Sequence, residues 1–161
     1  VKEPWLIAFS TASSEAALPL AMQNLEKFGL PKRIIAFVLP TGYSFNLDGS
    51  TLYLAIASVF AAQAGGIEMT LGQQLLMMLT LMLTSKGVAA VPRASLVILT
   101  GALTMFGLPL EAVAVILGVD AIMDMGRTSI NLLGNSLATA VMARWEGEFP
   151  ENPGEPAVAQ S

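Results

Sequence analysis

Apolar residues fill this chain in long runs, and a few clusters of small and polar residues cut those runs into elements. Residues 5–12 form a short apolar piece, SSEAALP (13–19) breaks it, and a second short piece reaches Phe28. Neither piece has the roughly 20 residues needed to cross a bilayer core, so the pattern predicts a re-entrant hairpin over 5–28. Residues 31–65 are long enough to span but carry NLDGS at 46–50, which predicts a broken helix. Residues 70–84 and 96–107 are again short and flank SKGVAAVPRAS, which predicts a second hairpin over 70–107. A last apolar run covers 109–144, and from Gly147 the sequence turns acidic and Pro-rich, the composition of a disordered tail over 147–161.

Hairpin and spanning helix thus occur twice in the same order. Both hairpin tips hold Ser, small residues and Pro: Ser13, Ser14 and Pro19 in one, Ser85 and Pro92 in the other. Paired interrupted segments at corresponding places in two halves are a mark of transporters built from inverted repeats. The expected fold is an all-α membrane protein with two re-entrant helical hairpins and two interrupted transmembrane helices in an inverted repeat. Its transport-domain core covers residues 1–146.

The last run adds chemistry to this pattern. Asp120, Asp124, Arg127, Asn131 and Asn135 recur at i, i+4, i+7, i+11 and i+15. On a helix they fall within an arc of about 80°. Ionisable residues at membrane depth are costly and face a bundle interior or a polar cavity, so such a stripe marks a substrate or ion site.

Composition narrows the class. Hydrophobic residues make up 54% and charged residues 12%, about half the charged share of soluble domains. Mean hydropathy is +0.65. There is no Cys and no His, which removes disulfides, thiolate chemistry, His-ligated metals and Ser-His-Asp catalysis. The opening VKEPW is not the start of a signal peptide. Lys27, Lys32 and Arg33 lie between the first hairpin and the first spanning helix, and Arg144 ends the last helix, whereas the connections near Glu68 and Glu111 hold no basic residue. The positive-inside rule then sends the first hairpin in from the cytoplasm and returns the C-terminus there.

Individual residues leave alternatives open. NLDGS offers unwound carbonyls, the Asn46 amide and the Asp48 carboxylate as an oxygen cage for a small hard cation. The same residues also suit a simple kink with Asp48 paired elsewhere. Arg127 is a planar fork matched to a carboxylate, and Asp124 one turn away matches an ammonium. Together they suit an acidic amino acid, or else an internal Arg127–Asp124 or Arg127–Asp120 ion pair. Asn131 can donate to a second carboxylate or join two helices. Ser13 and Ser14 expose backbone N–H groups to an anion or serve as ordinary turn residues. Asp48 and Asp124 also raise an intramembrane aspartyl protease, but Arg127 favours both staying ionised, against the shared proton that chemistry needs; no enzyme is expected.

SSEAALP, PTGYSFNLDGSTLY, SKGVAAVP and DAIMDMGRTSINLLGN, in this order, resemble the dicarboxylate/amino acid:cation symporter family, to which glutamate and aspartate transporters belong. The likeness covers residues 5–147, and TGYSFNLDGSTLY is most similar to the bacterial proton/glutamate branch. The resemblance implies two hairpins and two helices at the heart of a mobile transport domain that moves against a trimeric scaffold in an elevator cycle. It implies a bacterial-type inner membrane location, contact with lipid, an acidic amino acid as substrate and no nucleic acid partner. It also implies scaffold helices that are not among these residues, so that this stretch alone is not expected to transport. No cofactor is expected, and Na+ or H+ would be the coupling ion.

Carried over position by position, the resemblance implies Arg127 for the side-chain carboxylate and Asp124 for the amino group. Asn131 and the backbone near Ser13 and Ser14 would hold the α-carboxylate. Thr128 and Ser50 would line the pocket, with Val91 and Pro92 closing it. Gly42, Ser44, Asn46, Asp48, Ser85, Asn131 and Asn135 would contribute to cation sites, and Asp120 would act in coupling. Asn135 stands where the sodium-coupled amino acid branch has an aspartate, which casts doubt on one sodium site and favours protons. Ala12 and Met125 occupy the two places where relatives put a second arginine. A C4-dicarboxylate symporter of the same family is the nearest rival, and Asp124 argues against it because a dicarboxylate has no amine.

Overall fold

The computed structural model describes residues 2–85 and 94–151, and these form eight α-helices with no strand among them. The first hairpin consists of α1 (Lys2–Thr11) and α2 (Ser14–Phe28). Pro4 in the first turn and the Trp5–Phe9 stack, ring centroids 5.4 Å apart, suit α1 to its start. The chain reverses at Ala12, whose φ of 50° is left-handed. Ser13 then caps α2, its hydroxyl accepting from the Ala16 N–H at 3.3 Å. Gly29, at φ 103°, ends α2, because only a residue without Cβ adopts that conformation freely.

The first spanning segment divides as expected into α3 (Lys32–Phe45) and α4 (Asp48–Ala64), with Asn46 and Leu47 outside helical geometry. Taken together, 32–64 is long and apolar enough to cross a bilayer by length and composition. The second hairpin is α5 (Leu71–Thr84) and α6 (Ala94–Met105), α5 opening on a Thr70–Gln73 capping box. Its tip, with the expected closing residues Val91 and Pro92, lies outside the described residues.

The run 109–144, read from sequence as one helix, is two: α7 (Glu111–Leu117) and α8 (Asp120–Trp145). Gly118 closes α7, its N–H bonded to the carbonyls of Val115 and Ile116. The new helix begins on Asp120, a charge favoured at a helix N-terminus. Both halves of the chain therefore follow a hairpin with a helix in two parts. The tail also departs from expectation. Residues 148 and 149 are packed: Glu148 pairs with Arg33, and Phe149 sits edge-on to Phe28 at 6.1 Å with the Arg144 guanidinium 5.7 Å above its ring. Tertiary contact with α2, α3 and α8 supplies the order that local composition lacks. Residues 152–161 lie outside the described residues.

Two apolar clusters hold the helices. One joins Leu54 and Ala61 of α4 to Met77, Leu81, Leu99, Leu103 and Ile116 of α5, α6 and α7. The other joins Ala8, Ala17 and Leu25 of the first hairpin to Ile35 and Leu39 of α3 and to Leu132 and Ala143 of α8. Large apolar side chains also cover the outside, with Phe37 at 69%, Leu71 at 74%, Val97 at 73% and Ile122 at 68% exposure. That surface suits lipid or further helices.

Candidate substrate and cation site

Between the two clusters runs the polar stripe of α8. Asp120, Arg127, Asn131 and Asn135 are buried and Asp124 is half-buried, so the periodicity read from sequence does face inward. The stripe covers about 23 Å of α8, its first half meeting Tyr53 of α4 and its second half the α3–α4 break.

At the N-terminal end Arg127 is held from three sides. Nε donates to Asp124 Oδ1 at 2.9 Å, Nη1 donates to Asp120 Oδ1 at 3.1 Å, and the guanidinium lies 4.5 Å over the Tyr53 ring. Tyr53 hydroxyl also donates to Asp120 Oδ1, at 3.1 Å. Both internal ion pairs left open by the sequence are present, and they join α8 to itself, while Tyr53 brings in α4. A guanidinium has five N–H donors, so its outer edge keeps donors for a further carboxylate. Asp124, with its side chain 26% exposed, is the more accessible acid and has a second oxygen for an ammonium. Thr128 follows on the same helix and is buried.

One turn further, Asn131 caps α4 from across the interface. Its Oδ1 accepts from the Gly49 N–H at 2.8 Å and the Ser50 N–H at 3.3 Å, and its Nδ2 donates to Ser50 Oγ at 3.0 Å. Leu47, the residue before α4, has no side-chain cap of its own, so these buried N–H groups depend on α8. Gly49 makes the approach possible, because a Cβ there would run into the Arg127 carbonyl oxygen and lie 2.9 Å from its Cα.

The third group is the candidate cation site. With its amide nitrogen turned to the carboxylate, Asn46 donates to Asp48 Oδ1 at 2.8 Å, and its oxygen stands 3.2 Å from the Asn135 amide. The Gly42 carbonyl accepts the Asn46 N–H at 2.7 Å and keeps its second lone pair. Two glycines make the room: a Cβ on Gly134 would strike Asp48 Oδ2, and one on Gly42 would come within 2.5 Å of Asn135 Oδ1. Ser44 is half-buried on the last turn of α3. The cluster offers amide and carbonyl oxygens with one carboxylate, a donor set for a monovalent hard cation. Among the described residues no three acidic, His or Cys side chains converge.

Three expected residues make no described hydrogen bond to these groups. Ser13 uses its hydroxyl to cap α2, and Ser85 is buried with its hydroxyl donating to the Met82 carbonyl at 3.2 Å. Ser14 begins α2 beside the hairpin tip. A cavity of about 530 Å³ lies at the other end of α4, lined by Val59, Gln63, Glu68 and Gln74 among others. Its lining includes no cation for an acidic ligand. Sequence reasoning missed Tyr53 and Gly134, and it read Gly49 only as part of the helix break. Tyr53 lies one helical turn beyond Ser50 on α4, a spacing that was available as a signal.

Comparisons with known proteins identify the family. A family model described as the sodium:dicarboxylate symporter family matches residues 1–145. The chain is 52% identical over 160 residues to the proton/sodium-glutamate symport protein of Geobacillus stearothermophilus, covering 99% of this chain and 38% of that protein. It is 52% identical over 149 residues to the proton/glutamate-aspartate symporter of Escherichia coli, 92% of this chain and 34% of the relative. It is 45% identical over 152 residues to a C4-dicarboxylate transport protein of Bacillus subtilis, 94% and 36%. The chain therefore spans little more than a third of the length of these curated relatives.

Proposed function

Because the chain belongs to the sodium:dicarboxylate symporter family, we propose that it forms the substrate- and cation-binding core of a secondary transporter for acidic amino acids. The observation that carries this reading is the pairing of Arg127 with the more accessible Asp124 on one buried stripe. The outer edge of the guanidinium takes the side-chain carboxylate of glutamate or aspartate, and Asp124 takes the ammonium. Asn131 keeps a donor for the α-carboxylate, helped by the backbone at Ser13 and Ser14, while Ser50 and Thr128 line the pocket. Arg127 is only 5% exposed, so the pocket must open to admit substrate; Val91 and Pro92, outside the described residues, are carried over as its closing residues.

Asn46, Asp48, Asn135, Gly42 and Ser44 form the cation side, with Ser85 from the second hairpin. An amide at Asn135 supplies a dipole but no charge, which favours proton drive over a full set of sodium ions. In a complete transporter these residues work within a homotrimer in the bacterial cytoplasmic membrane, the C-terminus cytoplasmic. The core moves as one body against the scaffold. A C4-dicarboxylate lacks the amine that Asp124 is placed to meet, although one of the relatives is named as such a transporter.

The test is a hybrid in which this chain replaces the matching segment of the Geobacillus stearothermophilus relative. In proteoliposomes it should take up glutamate or aspartate along an imposed pH gradient in sodium-free buffer. Uptake of malate or succinate with none of either amino acid would replace this reading by the dicarboxylate one. Strict sodium dependence with no response to the pH gradient would overturn the proton drive.

A further inference from the structure

The Arg127 pocket holds two acids and one base, so its described charge is −1 before any ligand enters. Among the described residues Asp120, Asp124 and Arg127 are its charged groups, and Tyr53 is its remaining titratable side chain. An acidic amino acid has two carboxylates and one ammonium and brings a further −1. A pocket this buried does not hold −2 without a compensating positive charge.

The two acids are not equivalent. Asp124 is partly open and matches the ammonium. Asp120 is 2% exposed. Its Oδ1 accepts from both Arg127 and Tyr53, while its Oδ2 is buried with no hydrogen-bond partner among the described residues. Arg127 is its sole cationic partner there. On the elements packed around it, the other titratable groups are Tyr53 and Asp48 of α4, Glu111 of α7, and Asp124 and Arg144 of α8. Asp48 belongs to the cluster at Gly134, Glu111 is exposed, and Arg144 lies in the last turn of α8.

We propose that Asp120 is the binding site of the coupling proton, filled when an acidic substrate draws the Arg127 guanidinium away from it. This rests on the reading given under Proposed function. The substrate carboxylate competes with Asp120 for the same Nη1 donor. Once that donor turns to the substrate, Asp120 is left as a buried carboxylate with no described side-chain donor but the Tyr53 phenol, and a proton from the aqueous side neutralises it. One O–H bond forms on the carboxyl group as one O–H bond of a hydronium ion breaks, and the water left behind stays on the aqueous side. The Tyr53 hydroxyl, both donor and acceptor, turns from donating to Asp120 to accepting from it across the same 3.1 Å. Pocket charge stays at −1, and proton and substrate enter together.

The hybrid with the Geobacillus stearothermophilus relative tests this, compared with the same hybrid carrying Asp120→Asn. Calorimetric titration with L-glutamate in buffers of different ionisation enthalpy counts protons taken up per substrate. The native hybrid should take up about one, and affinity should fall about tenfold per pH unit across the range in which that uptake is seen, by linkage. Asp120→Asn should take up none and bind with an affinity that does not change with pH, its amide standing in for the protonated acid. Equal proton uptake in both would overturn the assignment, as would binding by the native hybrid with no uptake. Absence of any glutamate binding by the native hybrid would remove the functional reading and this inference together. Should Asp120→Asn fail to fold, infrared difference spectra of the native hybrid decide. Glutamate should raise a protonated-carboxyl band that Tyr53→Phe shifts, and no such band, or one indifferent to Tyr53→Phe, refutes the site.

Discussion

Replacing Asn131 separates its two duties, because one substitution removes the cap on α4 and another keeps it. In Asn131→Ala the Gly49 N–H, now 2.8 Å from Oδ1, and the Ser50 N–H at 3.3 Å lose their acceptor. A buried N–H left unpaired costs about 1–3 kcal/mol, and loss of an N-cap costs about 0.5–2 kcal/mol. These describe largely the same bonds, so the combined loss should be about 2–3 kcal/mol. In Asn131→Asp both N–H groups keep an acceptor, the charge sits at a helix N-terminus, and Ser50 can turn its hydroxyl to donate. That variant should stay within about 1 kcal/mol of the native hybrid. It should nevertheless bind acidic substrates worse, since a carboxylate replaces the amide proposed to meet one. The assay is thermal unfolding of the purified hybrid, with amide hydrogen exchange across residues 48–52 and glutamate affinity measured in parallel. Exchange at 48–52 should quicken in the Ala variant alone. Unchanged protection there, or equal destabilisation by Ala and Asp, would refute the capping argument.

Asp124→Ser should weaken glutamate and aspartate binding by at least about tenfold, from the loss of one charge-assisted bond worth about 1.5–3 kcal/mol, while succinate and malate are spared in competition assays. Gly49→Ala should destabilise the hybrid by about 1–3 kcal/mol, visible as a lower unfolding midpoint, because its Cβ meets the rigid backbone of Arg127; an unchanged midpoint would show that α4 and α8 can part freely. Asn135→Asp should introduce or strengthen sodium dependence of glutamate uptake by adding a second negative charge beside Asp48, and uptake indifferent to sodium in that variant would count against Asn135 as a ligand.

Much of this architecture was legible because its signals are local. The hairpins follow from apolar pieces too short to span, the α3–α4 break from Asn46, Asp48 and Gly49 inside an apolar run, and the buried face of α8 from the spacing of five polar residues. What was not legible depends on partners distant in sequence. Tyr53 beneath Arg127 and Asn131 over Gly49 are meetings of α4 with α8, and no periodicity within either helix names the other. Gly118 ends α7 inside a run whose hydropathy hides the break, although a Gly two residues before an Asp is a weak stop and start signal. The first tail residues misled for the opposite reason: local composition spoke for disorder, and the contacts of Glu148 with Arg33 and of Phe149 with Phe28 outweigh it. At the site, which residues lie on the stripe could be read, but which of them already satisfy one another could not.

The division of the apolar interior into two clusters has a mechanical consequence. Each cluster stiffens its own block, whereas the polar seam along α8 joins them through hydrogen bonds, a paired guanidinium and bare glycine surfaces. Shape complementarity between oily side chains cannot set the spacing of the blocks there, so their mutual alignment depends on which polar groups the seam contains. A solute that enters the seam becomes a structural member of it, a rivet whose length and charge fix how the two blocks sit. Loaded and empty forms of such a body would differ less in shape than in rigidity.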